Sequence, residues 1–211
     1  MPYIRHFYMR WKLILLICFF VHFTVAQQMK METHHQINSA SKNIFLLMMD
    51  SMMIKMDAVP VTSRPDIDFM SQMIPHHQGA IGMAKYETGH GKNNHMMQLA
   101  KSIIAEQNSE IQLMKILINR LNDSTQKINK SFSDEMADSM KVMMKNMPSD
   151  TGLNDIDKAF AMVMIPHHQA AIHMAAVLIK YSVNNKVATF AKQLISEEQI
   201  EIEQMSAFIN E

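Results

Sequence analysis

Met73-Ile74-Pro75-His76-His77-Gln78 returns unchanged as Met164-Ile165-Pro166-His167-His168-Gln169, 91 positions later. The register holds on both sides of the hexapeptide. Upstream it pairs Met49, Met52, Met53 and Met56 with Met140, Met143, Met144 and Met147, then Asp66 with Asp157 and Phe69 with Phe160. Downstream it pairs Ala80, Ile81, Met83 and Ala84 with Ala171, Ile172, Met174 and Ala175, and Glu106, Glu110, Ile111 and Met114 with Glu197, Glu201, Ile202 and Met205. A match in register from about 45–120 to 136–211 is an internal duplication, one structural unit used twice.

Around the hexapeptide, Ile67, Met70, Met73 and Ile74 recur at helical spacing and carry that period into Pro75. The spacing predicts a kinked helix from near Asp66 to about Tyr86, stopped by Gly89 and Gly91, and its counterpart from near Asp157 to about Tyr181. Both aspartates are placed to cap free amides. Proline inside a helix removes one hydrogen bond and costs about 3 kcal/mol, so its position just before His-His in both halves points to a kink that aims the imidazoles. A first helix over about 41–57 carries Phe45, Met49, Met52, Met53 and Met56 on one face. Its counterpart, capped by Ser133, carries Met136, Met140, Met143, Met144 and Met147 before Pro148. Third helices are expected over 94–121 and 185–210, with Leu99, Ile103, Ile104, Ile111 and Met114 beside Glu106 and Glu110. No stretch alternates with period two. The expectation is an all-α helical bundle of two three-helix repeats, 41–122 and 131–211, joined by short loops.

Residues 1–26 have the layout of a secretory signal peptide: Arg5, Arg10 and Lys12, an apolar run from Leu13 to Phe23, and Thr24-Val25-Ala26 before Gln27. That run is shorter than the roughly 20 apolar residues of a membrane span, so no stable membrane insertion is expected after cleavage. A polar leader with His34 and His35 fills 27–40. The mature chain would lose Cys18, the one cysteine, and have no disulfide, as an exported product stabilised by its core. It would carry 17 basic against 20 acidic residues, which argues against a nucleic-acid partner. Periplasmic or secreted localisation follows.

Methionine is the compositional outlier, 24 residues in 211. Met can fill a core, but Leu is the ordinary choice there, and thioether sulfur is a soft metal ligand. Residues three, four and seven apart share a helix face, so Met73, His76, Ala80 and Met83 form one stripe with His77 at its edge, and Met164, His167, Ala171 and Met174 another with His168. Small Ala80 and Ala171 leave room for a neighbouring helix. Thioethers with imidazoles suit copper, Cu(I) above all. The candidate ligands are therefore Met73, His76, His77, Met83, Met164, His167, His168 and Met174. The Met faces of the first helices, Met114, Met205 and His173 are further candidates. Glu110, Glu201, Asp66 and Asp157 keep an iron or zinc alternative open, because inward glutamates beside histidines make di-iron sites in bundles, although the Glu-x-x-His spacing of those sites is missing. A structural bundle with a Met-lined groove for a partner is the third reading. No nucleophile beside a base, phosphate loop or dinucleotide fingerprint is present, and catalysis is not expected.

Asp66-x-x-Phe69, Met73-Ile74-Pro75-His76-His77, Ala80, Met83-Ala84 and Glu110-Ile111-x-x-Met114, with their counterparts over 157–205, resemble the signature of the domain of unknown function 305 family. The resemblance spans both repeats. It implies a ferritin-like fold, export to the periplasm or beyond, and, for members given a role, copper binding and copper tolerance. The ligand would then be a metal ion, and the partner another copper-handling protein. Two positions depart from the pattern: Glu198 stands where Gln107 matches, and the aromatic near the end of the third helix is Leu117 in the first half and Phe208 in the second.

Overall fold

A computed structural model of the chain describes residues 42–121 and 129–211. The signal peptide, the leader and its His34-His35 pair lie outside the described residues. From Asn43 to Glu211 the chain is one compact unit of six α-helices and one 3₁₀ turn, with no strand among the described residues. The helices are α1 (Ile44–Asp57), α2 (Pro65–His90), α3 (Asn94–Arg120), α4 (Lys130–Asn146), α5 (Ile156–Tyr181) and α6 (Asn185–Asn210), with the 3₁₀ turn at Asp150–Gly152.

Asparagine starts four of these helices. Asn43 accepts from the Phe45 amide, Asn93 from His95 and Met96, Asn129 from Phe132, and Asn184 from Lys186 and Val187. Each side chain satisfies amides that the first turn leaves without a carbonyl, worth about 1 kcal/mol per cap. Three sequence expectations change here. Helix α4 begins three residues before Ser133, because capping by Asn129 lets Phe132 enter the core at 1 % exposure. Asp155, two residues ahead of Asp157, caps α5 through the Lys158 amide, while α2 begins at Pro65 without a side-chain cap. Helix α2 also runs through Gly89 to His90, four residues further than expected. Gly91 ends it in an extended conformation, φ −63°. What demands glycine at 91 is space: a Cβ there would sit 2.3 Å from Glu87 Oε1.

Helices α2 and α3 form one hairpin and α5 and α6 another, and the two join through α2 packed on α5. Helix α1 lies on α2 and reaches α5, while α4 lies on α5. Pro75 and Pro166 each sit inside one continuous helix. Phe45 anchors α1 between Tyr86 and Phe160, with ring centroids 5.5 and 5.9 Å away. Phe69 meets Phe190 at 6.5 Å, and Phe132 meets Tyr181 at 5.8 Å. Each fully buried side chain of this size stabilises by about 1.5–3 kcal/mol. Helix α5 is long and apolar enough to cross a membrane by length and composition alone, but Phe160, Val163, Met164, Leu178 and most of its alanines are buried inside the bundle.

Polar ties hold the halves in register. Asn43 donates its backbone N–H to Asp150 and its side-chain amide to the Leu153 carbonyl, 3.0 Å. Conversely, the Asn129 N–H donates to the Ser63 carbonyl at 2.8 Å. Asp157 accepts from the amides of Lys92 and Asn93 at 2.8–3.1 Å, so it serves the start of α3 in the other half rather than its own helix.

Candidate metal centre

Where α2 crosses α5, the two copies of His-His meet. His76, His77, His167 and His168 are all at 0 % exposure, and so are Met73, Met83, Met164 and Met174. Helical spacing put His77 and His168 at the edge of their stripes. The structure buries them too, because α3 and α6 cover that edge with a glutamate each. His77 Nε2 lies 2.8 Å from Glu110 Oε2, and His168 Nε2 lies 2.7 Å from Glu201 Oε2. Fully buried Ala80 and Ala171, one turn further along, add no bulk to the crossing.

The inner histidines face across the halves. The His76 and His167 rings lie with centroids 3.8 Å apart, tilted by 33° to each other, and His167 Nε2 lies 3.2 Å from the His76 carbonyl oxygen. A carbonyl only accepts, so His167 holds its proton on Nε2 and donates it outward, and His168 does the same while Glu201 is ionised. Their Nδ1 atoms are then both bare, and they face each other 3.4 Å apart. His77 Nδ1 and both ring nitrogens of His76 are buried with no hydrogen-bond partner. Leaving one such nitrogen unmet costs about 1–3 kcal/mol. A cation that accepts these lone pairs would remove the cost, and two nitrogens 3.4 Å apart can both reach one ion at metal–nitrogen distances of about 2 Å.

Protons are poor competitors for these sites. Burial, then neighbouring histidines, hold His76 and His167 well below the usual imidazole range. Burial and then His77 push His168 down to about 3. Those three imidazoles are therefore neutral. The proton that matters belongs to Glu201, pushed up to about 7 by burial first and then by Glu110. Protonated Glu201 can donate to His168 Nε2, which moves the imidazole proton to Nδ1 and closes the bare pair.

Above the histidines, α3 and α6 present Glu106, Glu110, Glu197, Glu198 and Glu201. Glu106, Glu197 and Glu201 line a cleft of about 360 Å³. Glu106 is pushed up to about 7 by burial and then by Glu201. Glu198 went unassigned in the sequence, although the 91-residue offset pairs it with Gln107. Gln107 Nε2 donates to Glu198 Oε1 at 3.4 Å, and burial, then Glu110, raises Glu198 well above the carboxylate range. Glu198 is thus a neutral acid that accepts where its counterpart would be an amide, and the departure from the family pattern is chemically small.

The remaining candidates separate. Met114 and Met205 are fully buried, and Met49, Met52, Met56, Met140 and Met143 are buried. Met52 lies against Gly79, where a Cβ would come within 2.8 Å of its Cγ and Sδ, so α1 seats a thioether two residues past His77. Met53 and Met147 are half-buried and Met144 is 40 % exposed. Asp66 and Asp157 are buried, and Asp157 is occupied with the α3 amides. His173 is exposed on the outer side of α5, away from the buried centre, because an offset of five or six residues from His167 and His168 turns it to the opposite face. Among the described residues, no three or more His, Cys, Asp or Glu side chains gather closely enough to hold a metal by themselves.

Comparison with known proteins gives a family and a fold. The family model described as domain of unknown function (DUF305) matches residues 22–118 and again 66–209. CopM in its silver-bound form, obtained by soaking, is 26% identical with a TM-score of 0.53, over 69% of this chain and 94% of that one. CopM in the Cu(II)-bound form gives 26% and 0.53 over 69% and 95%. A DUF305 fragment from Deinococcus radiodurans is 19% identical with a TM-score of 0.52, over 72% and 99%, and speaks for the fold alone. No curated protein matches.

Proposed function

This chain belongs to the DUF305 family, and from that premise we propose that it is an exported copper-binding protein that holds Cu(I) in the buried His/Met centre for buffering, tolerance or transfer to another copper-handling protein. The observation that carries this reading is the pair of mutually facing Nδ1 atoms of His167 and His168, 3.4 Å apart, with His76 beside them lacking any partner for its ring nitrogens. Imidazole binds copper in either oxidation state and thioether selects Cu(I). His76, His77, His167 and His168 supply nitrogens, and Met73, Met83, Met164 and Met174 supply sulfur. Glu110 and Glu201 orient the outer imidazoles as second partners of ligating histidines do. The silver- and Cu(II)-bound forms of CopM support the choice of metal.

The test is an anaerobic Cu(I) titration against a competing chelator. The expected result is retention of Cu(I) by the protein and its loss in His167→Ala/His168→Ala. Binding no tighter than the free-ligand background ends the reading. The His77–Glu110 and His168–Glu201 pairs favour iron or zinc as the second reading. It predicts a metal other than copper in protein purified from its own compartment, and loss of that metal on Glu110→Ala.

A further inference from the structure

The seam between α3 and α6 has an opening towards each end, and the duplication makes the two openings counterparts. One is the cleft of about 360 Å³ where His95, Ser102 and Gln204 surround Glu106, Glu197 and Glu201. The other, of about 370 Å³, is lined by Leu113, Arg120, Lys186, Phe190 and Gln193. The 91-residue offset pairs His95 with Lys186, Ser102 with Gln193 and Gln204 with Leu113. One opening therefore carries carboxylates and neutral hydrogen-bonding groups, and its counterpart carries two fixed cations and apolar side chains. We infer that the acidic opening is the route by which a cation reaches the buried histidines, and that its counterpart is closed to one.

The route is a continuous line of groups. Glu106 and Glu197 are half-buried on facing helices. Glu201, one turn beyond Glu197 on α6, lines the same cleft while its Oε2 lies 2.7 Å from His168 Nε2. Glu201 thus touches both the cleft and the buried centre. Beside these carboxylates in the seam, Gln107 Oε1 and Glu198 Oε2 are buried with no hydrogen-bond partner, so unmet acceptor oxygens lie at its inner side. Burial and then Glu201 raise Glu106, and burial and then Glu110 raise Glu197; a cation arriving among them relieves that repulsion. A cleft of one sign between low-dielectric walls concentrates counter-ions and raises association rates by about 10–10³-fold. Carboxylate oxygen is a hard donor and Cu(I) a soft ion, so the oxygens attract the ion without keeping it, and the nitrogens and sulfurs past Glu201 are where it stays. At the other opening Lys186 and Arg120 repel the same ion, and among the described residues no carboxylate lines it. This inference rests on the proposed function, because a route needs a destination.

The test reads rates apart from equilibria. Apo protein is loaded anaerobically from a coloured Cu(I)–chelator complex, and loaded protein is returned to free chelator at an excess where the rate no longer depends on chelator. The phase that vanishes in His167→Ala/His168→Ala reports the buried centre. Ser102→Arg places a cation in the acidic opening, and Gln193→Arg places one at the matching position of the other; both residues are exposed. Ser102→Arg should slow both transfers about tenfold with the end-point distribution of copper unchanged, and Gln193→Arg should transfer at the wild-type rate. Glu106→Gln/Glu197→Gln, which adds no bulk, should slow loading, and added salt should slow loading of the wild type more than of this variant. Equal rates in the two arginine variants, or a wild-type rate in Glu106→Gln/Glu197→Gln, overturn the route while leaving the centre in place. Wild-type protein that retains no copper sinks the proposed function and the route with it.

Discussion

Replacing Glu87 by Gln should make the stability of this protein less dependent on pH, by an amount that follows from where Glu87 lies. Its carboxyl is at 0 % exposure at the end of α2 and is pushed up to about 8, by burial first and then by Asp157 beside it. Burial pushes Asp157 up as well, yet the Asn93 amide, Glu87 and the Lys92 amide together outweigh it and hold Asp157 below the usual carboxylate range. The folded protein thus keeps Glu87 neutral while the unfolded chain releases that proton near 4.5. A raised carboxyl contributes its stability fully below the unfolded value and loses it as pH rises toward the folded value, here between 4.5 and about 8. At about 1.36 kcal/mol per unit, the loss between about pH 5.5 and 8.5 is on the order of 3 kcal/mol. A glutamine side chain has the shape of the neutral acid and cannot ionise. Urea unfolding of both proteins at the two pH values should therefore show the stability advantage of Glu87→Gln over wild type growing by roughly 3 kcal/mol from about pH 5.5 to about pH 8.5. Glu106, Glu198 and Glu201 titrate in both proteins and cancel in the difference. An equal offset at both pH values would refute the assignment of a neutral Glu87. Asp157 beside it ties α5 to the start of α3 through the Lys92 and Asn93 amides.

Three further outcomes are expected. Cu(I) affinity should fall as pH drops through about 7, where Glu201 takes its proton and closes the His168 lone pair. Glu201→Gln should flatten that step in a chelator competition, and a fall placed near the ordinary imidazole value in both proteins would contradict the neutral histidines. Glu198→Gln should change the melting temperature at about pH 7 by less than about 2 °C, equivalent to under about 1 kcal/mol, since the residue is already neutral; a large stabilisation would mean that it is charged in the fold. Gly91→Ala should cost about 1–3 kcal/mol, because its Cβ would sit 2.3 Å from Glu87 Oε1, and the cost should shrink in a Glu87→Ala background in a urea series.

The six helices were legible because apolar spacing and capping are local properties. The duplication was legible because the hexapeptide and its flanks repeat in register. What spacing could not show was the surroundings of each residue. His77 lies at the edge of its stripe in isolation, and it is buried only because Glu110, 33 residues on, covers it. Asp157 reads as the cap of its own helix and serves amides 64 and 65 residues earlier. His173 shares a helix with the His-His pair yet faces water. Glu198 read as a departure from the family pattern, and burial with the neighbouring carboxylates makes it a neutral counterpart of Gln107.

The amino-acid order by itself therefore determined the helices, the repeat of one sequence unit and the paired histidines. Tertiary structure decided which groups share a place: the ring of His76 beside that of His167, and the Nδ1 atoms of His167 and His168 facing each other. The physical reason is range. Helix formation is settled by neighbours three or four residues away, whereas the protonation, exposure and partners of a side chain depend on groups that only the packing of α2 on α5 brings within a few ångströms.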